Sequence, residues 1–158
     1  MLKRCCDLLE QQQLKIAFIE SASSGYLASQ FSIYKNSGAE ILLGGLVSYD
    51  PSIKIDILNI DAQLIEKYTA ESAEVTKAMA IQGKKLFCQA DIIVACTGLL
   101  KPGGSATENK PEGTFFISIL YLNEIHNFHY FIQGTPLDKL TLLTQYIAEE
   151  IIKLIQGV

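Results

Sequence analysis

Ser21 stands where an apolar run, Ile16-Ala17-Phe18-Ile19, gives way to the polar turn Glu20-Ser21-Ala22-Ser23-Ser24-Gly25, and a helical pattern follows directly. This order puts a hydroxyl at the end of a buried strand and beside a helix N-terminus. Unpaired N–H groups and the helix dipole there favour an anion or developing negative charge. A serine in that place can act as a nucleophile only with a base to take its proton. The chain has two histidines, His126 and His129. Both fall in the predicted hairpin at 121–132, and odd spacing puts them on opposite faces of a strand, so a Ser-His-Asp arrangement is not expected. A lysine can serve instead when burial lowers its pKa. Lys54 follows the second predicted strand, close to Tyr49, at a strand end that can face Ser21. The competing reading is that Ser21, Ser23 and Ser24 only cap the following helix, and the pattern by itself favours that role.

A second cluster is Gly98-Leu-Leu-Lys-Pro-Gly103-Gly104-Ser105. It falls short of a P-loop, because Gly104 stands where the lysine belongs and no helix pattern follows. What stays open is a backbone nest for one phosphate or carboxylate, or a plain surface loop. Glu71 opens the clearest helix pattern, after Thr69-Ala70, and is expected only to interact with that helix's N-terminus. His126 and His129 have no carboxylate nearby except Glu124, so no metal site is expected. Cys5, Cys6, Cys88 and Cys96 form no Cys-x-x-Cys pair and read as buried small hydrophobes in a reducing compartment.

The elements that must position these groups follow from periodicity. Helices are expected over residues 2–13, 25–34, from Pro51 with Asp50 as its cap, over 61–67, 71–87 and 137–156. The 25–34 helix should break at Asn36-Ser37-Gly38. Strands are expected at 14–19, 42–49 and 91–97, with an antiparallel pair at 114–122 and 128–132 around Asn123-Glu124. Gly44-Gly45 would let a neighbouring backbone approach closely. This order predicts a three-layer α/β/α sandwich with a mixed, mostly parallel sheet of about five strands, in one domain over 1–158. The loop at 98–113 is long for a compact domain, which marks it as functional. A composition 49% hydrophobic and 19% charged describes a folded chain. A net charge of −4 with no basic run speaks against nucleic acid as partner. No apolar run is long enough for a bilayer, and no signal-peptide pattern follows Lys3-Arg4, so a cytoplasmic protein is expected.

Taken together, these segments resemble the C-terminal domain of the CinA (competence/damage-inducible) family, whose stand-alone members are nicotinamide mononucleotide deamidases. The family's Glu-Ser-Cys-Thr-Gly-Gly is similar to Glu20–Gly25. Its Gly-x-Val-x-Tyr element with a lysine further on resembles Gly45-Leu46-Val47-Ser48-Tyr49 leading to Lys54. Its Thr/Ser-Gly-x-x-x-Pro-Gly-Gly stretch, followed by Lys-Pro-x-Gly-Thr, is similar to Thr97-Gly98 through Gly103-Gly104, then Lys110-Pro111-Glu112-Gly113-Thr114.

The resemblance implies hydrolysis of the carboxamide of nicotinamide mononucleotide to a carboxylate, with release of ammonia. It implies Ser21 as nucleophile, Lys54 as base, Tyr49 assisting and Glu20 orienting the site. Ser23, Ser24 and Gly25 would supply substrate-binding amides, and Thr97, Gly98, Gly103 and Gly104 would line the nucleotide pocket. It implies no cofactor, a small pyridine nucleotide as partner, no nucleic acid or membrane partner, and a homodimer. Ala22, Ser23 and Ser24 replace the family's Cys, Thr and Gly, and Ser24 adds a Cβ where the family's glycine implies either a positive φ or a close approach. The segment Phe131–Pro136 also lacks the family's phosphate-pairing arginine. The only arginine is Arg4, which leaves Lys101 or Lys139 as substitutes. The departures leave a second expectation open, a CinA-like chain that binds ligand or partner without turnover, or an amidase for another substrate.

Overall fold

The computed structural model describes residues 1–35 and 37–158. A five-stranded sheet runs in the order β2-β1-β3-β4-β5. The strands are β1 (Ile16–Glu20), β2 (Leu42–Val47), β3 (Ile92–Gly98), β4 (Thr114–Tyr121) and β5 (Glu124–Phe131). β1 pairs parallel with both β2 and β3, while β3–β4 and β4–β5 are antiparallel. The expected mixed α/β sandwich is therefore observed, with four of the five strands pointing the same way.

Helices α1 (Leu2–Gln11), α2 (Tyr26–Ser32) and α6 (Pro136–Gln156) cover one face. There Leu9, Phe18, Phe31, Val94, Phe115 and Ile147 form the larger core cluster. Helices α3 (Pro51–Asp56), α4 (Ala62–Tyr68) and α5 (Ala73–Leu86) belong to the other face, where Ala17, Ile19, Val75, Met79 and Ile93 meet. The period of two along β1 and β3 produces this split, sending Phe18 and Val94 to one side and Ile19 and Ile93 to the other. Both strands are buried along their whole length, as strands covered on two faces must be.

Local signals explain most element ends. Asp50 caps α3, its carboxylate accepting from Ser52 N at 2.9 Å, and Pro51 supplies the fixed φ of the first turn. Thr135 and Asp138 form a reciprocal capping box at the start of α6. Gly45 pairs with Phe18, and a Cβ there would sit 3.1 Å from the Phe18 carbonyl oxygen, so the expected close approach of backbones is real.

Three expectations change. β5 begins at Glu124 rather than Phe128. Its turn is Leu122-Asn123 with φ +50° and +64°, the left-handed pair that a two-residue hairpin needs. Cys88 is exposed, while Cys5, Cys6 and Cys96 are buried. The α2 helix ends at Ser32; of the predicted break, Asn36 lies outside the described residues and Gly38 holds φ +75°. Among the described residues no helix is long and apolar enough to cross a membrane.

The topology points to one place on the molecule. From β1 the chain crosses to β2 on one side, and from β3 it passes to β4 on the other. The carboxyl ends of β1 and β3 thus form a switch point, where open α/β sheets leave a crevice for ligands. Ser21 follows β1 and Gly98 ends β3.

Candidate active site

Ser21 continues the line of β1, its N–H donating to Cys96 O at 3.0 Å, which fixes the turn against β3. On the other side Ser48 N–H donates to Glu20 O at 2.8 Å and carries the β1–β2 pairing one residue past the strand. The chain then enters α3, and the first turns of that helix send Lys54 back under the site. Lys54 is fully buried. Its Nζ lies 2.9 Å from Ser21 Oγ and 3.3 Å from Tyr49 O, and it also donates to Ser48 O.

This geometry suits a free amine as well as an ammonium. Two N–H groups reach the Ser48 and Tyr49 carbonyls, and the third direction, toward Ser21 Oγ, can be a donor or a lone pair. Burial pushes the Lys54 pKa down from the ordinary lysine value, and the charges of Glu71 and Asp50 oppose that shift. The serine–lysine pair expected from sequence is thus brought together, and no histidine is near. His126 and His129 lie on β5, where His129 stacks on Phe116 with ring centroids 5.1 Å apart.

Glu20 sits where the first motif placed it, but its carboxylate turns away from Ser21. It is buried and accepts from Leu27 N at 2.9 Å and Ala28 N at 3.0 Å, so it caps α2 from the preceding strand. Other donors of the turn are also taken, Ser24 N by Ser21 O and Tyr26 N by Ser23 O. Among the described residues, the N–H groups of Ala22, Ser23 and Gly25 are left without a protein acceptor. Ser24 and Gly25 hold φ +49° and +91°, so Ser24 occupies the left-handed conformation that favours glycine.

A cleft of about 270 Å³ opens in front of Ser21. It lies just below the usual ~300 Å³ lower bound for small-molecule sites, which favours one small ligand over a dinucleotide. One wall is Ser21, Ala22 and Tyr49, and the other is the loop from Gly98 to Gly104, with Glu71 between them. Gly98, Gly103 and Gly104 line the cleft. Gly103 and Gly104 have φ +99° and +61°, backbone conformations that favour glycine.

Ser23, Ser24, Gly25 and Thr97 do not line it. Ser23 Oγ is buried without a hydrogen-bond partner in the protein. Thr97 is buried and faces α5, where its Oγ1 lies 2.8 Å from Thr76 Oγ1. Tyr49 is 61% exposed, and its contribution to the dyad is its carbonyl oxygen.

The long loop is tied down at both ends. Lys110 donates to Thr69 Oγ1 at 2.7 Å, Glu71 O at 2.8 Å and Ser105 Oγ at 3.0 Å. Lys139 of α6, only 3% exposed, donates to Leu100 O at 3.0 Å and pairs with Glu112. Lys139 is therefore an anchor of the loop rather than a substitute for the missing arginine. Lys101 does line the cleft, at its solvent side. In the segment where the family carries its arginine, Thr135 and Asp138 close the capping box of α6.

Two residues named in the sequence make contacts at the site that the sequence does not signal. Glu71 precedes the actual cap of α5, Ser72, and its carboxylate reaches the cleft, where Oε2 accepts from Ser105 Oγ at 2.5 Å. Lys110 was visible only as part of a motif. Its proximity to Thr69 and Glu71 had no local signal, since 41 residues separate it from Thr69. Among the described residues no group of three or more His, Cys, Asp or Glu side chains converges to hold a metal.

The model of the CinA C-terminal domain matches residues 1–154. The chain belongs to the CinA C-terminal domain family. It is 32% identical to Protein MG115 of Mycoplasma genitalium, over 89% of this chain and 88% of that one. It is 39% identical to a CinA-like protein of Cytophaga hutchinsonii over 70% of this chain, but that match spans only 26% of the longer protein. The fold is shared with a competence or damage-inducible protein from Enterobacter asburiae, with TM-score 0.86 and 23% identity over 97% and 95% of the two chains. A CinA superfamily protein from Klebsiella pneumoniae gives TM-score 0.88 and 20% identity over 98% and 96%. At these identities the CinA structures speak for the fold.

Proposed function

We propose that this CinA domain is an amidohydrolase that converts nicotinamide mononucleotide to nicotinic acid mononucleotide and ammonia, with Ser21 and Lys54 as a dyad. The observation that carries the reading is the buried Lys54 amine 2.9 Å from Ser21 Oγ at the mouth of a ligand-sized cleft. Lys54 as free amine takes the Ser21 proton while Oγ attacks the carboxamide carbon. The tetrahedral oxyanion is met by backbone N–H groups, for which Ala22 and Ser23 are the free donors nearest Ser21 in the chain. Collapse breaks the C–N bond, and Lys54 returns its proton to the leaving nitrogen as ammonia departs. Water, deprotonated by Lys54, then cleaves the Ser21 ester, giving the carboxylate and restoring the serine.

Tyr49 forms a wall of the cleft and supplies a carbonyl that holds Lys54. Glu20 holds α2, and through it the turn that carries Ser21. Gly98, Gly103, Gly104 and Lys101 line the loop side of the same cleft, facing the nucleotide's ribose and phosphate. A pyridine nucleotide substrate is a cytoplasmic metabolite, consistent with a cytoplasmic protein. The exposed β2 edge, with Leu43 and Val47, is consistent with the homodimer that the family resemblance implies. The test of function is ammonia release from nicotinamide mononucleotide, with nicotinic acid mononucleotide identified as co-product. No release at high enzyme concentration would reject the reading.

A further inference from the structure

We infer that Glu71 makes this site selective for a positively charged heterocycle, its carboxylate and the Tyr49 ring together favouring a pyridinium over a neutral ring of the same shape. The inference rests on the amidase reading only for the carboxamide; the charge preference comes from the cleft itself.

Glu71 lines the same cleft as Ser21 and Tyr49. Ser105 Oγ donates to Oε2, and among the described residues Oε1 has no donor. No cation lies within ion-pair distance of this carboxylate among the described residues. Lys110, the nearest candidate, gives its bonds to Thr69 Oγ1, the Glu71 carbonyl and Ser105 Oγ. Lys54 is engaged by Ser21, Ser48 and Tyr49.

A half-buried carboxylate is thus held in the cleft without a direct ion pair; Lys110 reaches it only through Ser105 Oγ, and Oε1 has no donor among the described residues. A bound cation completes it, and partial exclusion of water strengthens the attraction. A pyridinium spreads its charge over a flat ring, so the exposed Tyr49 face can stack on it with a further cation–π gain. A neutral pyridine gains neither. The negative Glu71 also favours the ammonium form of Lys54. A cation that offsets Glu71 moves Lys54 toward the free amine, so the correct substrate helps generate its own base.

The test compares equilibrium binding of 1-methylnicotinamide, a cation, with nicotinamide, its neutral counterpart, by calorimetry. The wild type is expected to bind the cation about tenfold more tightly. Glu71→Gln is expected to bring the two within about twofold, while Ser105→Ala, which keeps the charge, retains the preference. Raising ionic strength from ~0.05 to ~0.5 M should narrow the wild-type preference without any substitution. Equal wild-type affinities, a preference that survives Glu71→Gln, or no binding of the cation would overturn the inference. Because binding needs no turnover, these outcomes are distinct from failure to release ammonia, which would reject only the proposed reaction.

Discussion

Lys54 and Ser21, 33 residues apart in sequence, meet with Nζ 2.9 Å from Oγ at the carboxyl end of β1. Two main-chain carbonyls, of Ser48 and Tyr49, fix the direction of the amine. Neither carbonyl depends on a flexible side chain, because Ser48 N–H is itself bonded to Glu20 O of β1. The β1–β2 pairing therefore aims the Lys54 amine at the Ser21 hydroxyl.

Removing the base should cost about 10²–10⁴-fold in kcat/KM, the range for a positioned proton-transfer group. Lys54→Met and Lys54→Arg should both show this loss, since arginine keeps the charge but does not deprotonate. Steady-state kinetics with nicotinamide mononucleotide checks it. Activity within tenfold of wild type for either variant would remove Lys54 from the mechanism.

The pH dependence has a defined sign. Burial lowers the Lys54 pKa below the ordinary 10.5. Activity that needs the free amine should rise as pH climbs through that lowered value, at a lower pH than an unperturbed lysine would give. The stability sign agrees. Between the lowered folded value and 10.5 the unfolded chain binds more protons, so stability contributed by this group rises with pH across that window. Below the window the burial cost is present in full. Lys54→Met should flatten this part of a stability–pH profile measured by denaturant titration.

Glu20 should reveal itself as a structural group. Its carboxylate satisfies two amides of α2 while buried. Glu20→Ala leaves both donors unpaired and should cost about 2–4 kcal/mol. For a chain of this size that lowers Tm by about 4–16 °C. Calorimetry checks it; an unchanged Tm would mean that water replaces the cap without loss.

Much of this arrangement could be read from residue order. The change from Ile16–Ile19 to Glu20-Ser21, and Asp50-Pro51 before a helical stripe, marked the end of β1 and the start of α3. With the histidines on β5, lysine was the remaining base. Periodicity could not say which layer each face of β3 meets, because a strand buried on both sides carries apolar or small residues throughout. The family motif alone implies Thr97 for the pocket, and the side chain is instead buried against Thr76 of α5. The loop contacts of Glu71 and Lys139 lie outside any local pattern for another reason. Their roles come from contacts across 34 residues to Ser105 and 27 residues to Glu112, and no local pattern reports on such pairs.

Ser24 at φ +49° is a stored strain that can be relieved. Ser24→Gly should stabilise the fold by about 1 kcal/mol and raise Tm by about 2–4 °C, because a left-handed non-glycine residue costs on the order of 1–3 kcal/mol. Turnover should be retained if the turn keeps its present shape. A thermal melt and a kinetic assay check both, and a lower Tm would contradict this account of the turn.

Lys139 should act on the loop and not on the chemistry. Lys139→Met removes its bonds to Leu100 O and Glu112 and frees the wall of the cleft. KM should rise several-fold while kcat changes less, and Glu112→Gln added to it should produce little further effect, as for partners in one interaction. Equal, additive losses would show that the two residues act separately.

The account turns on Ser21 Oγ. Its most direct measurement is the rate of ammonia release from nicotinamide mononucleotide by wild type and by Ser21→Ala, with folding of both verified by thermal melts. The dyad predicts measurable release by the wild type and a loss of at least about 10³-fold in the variant, since one member of a nucleophilic unit carries most of its effect. Release by Ser21→Ala at a rate within tenfold of wild type would contradict it.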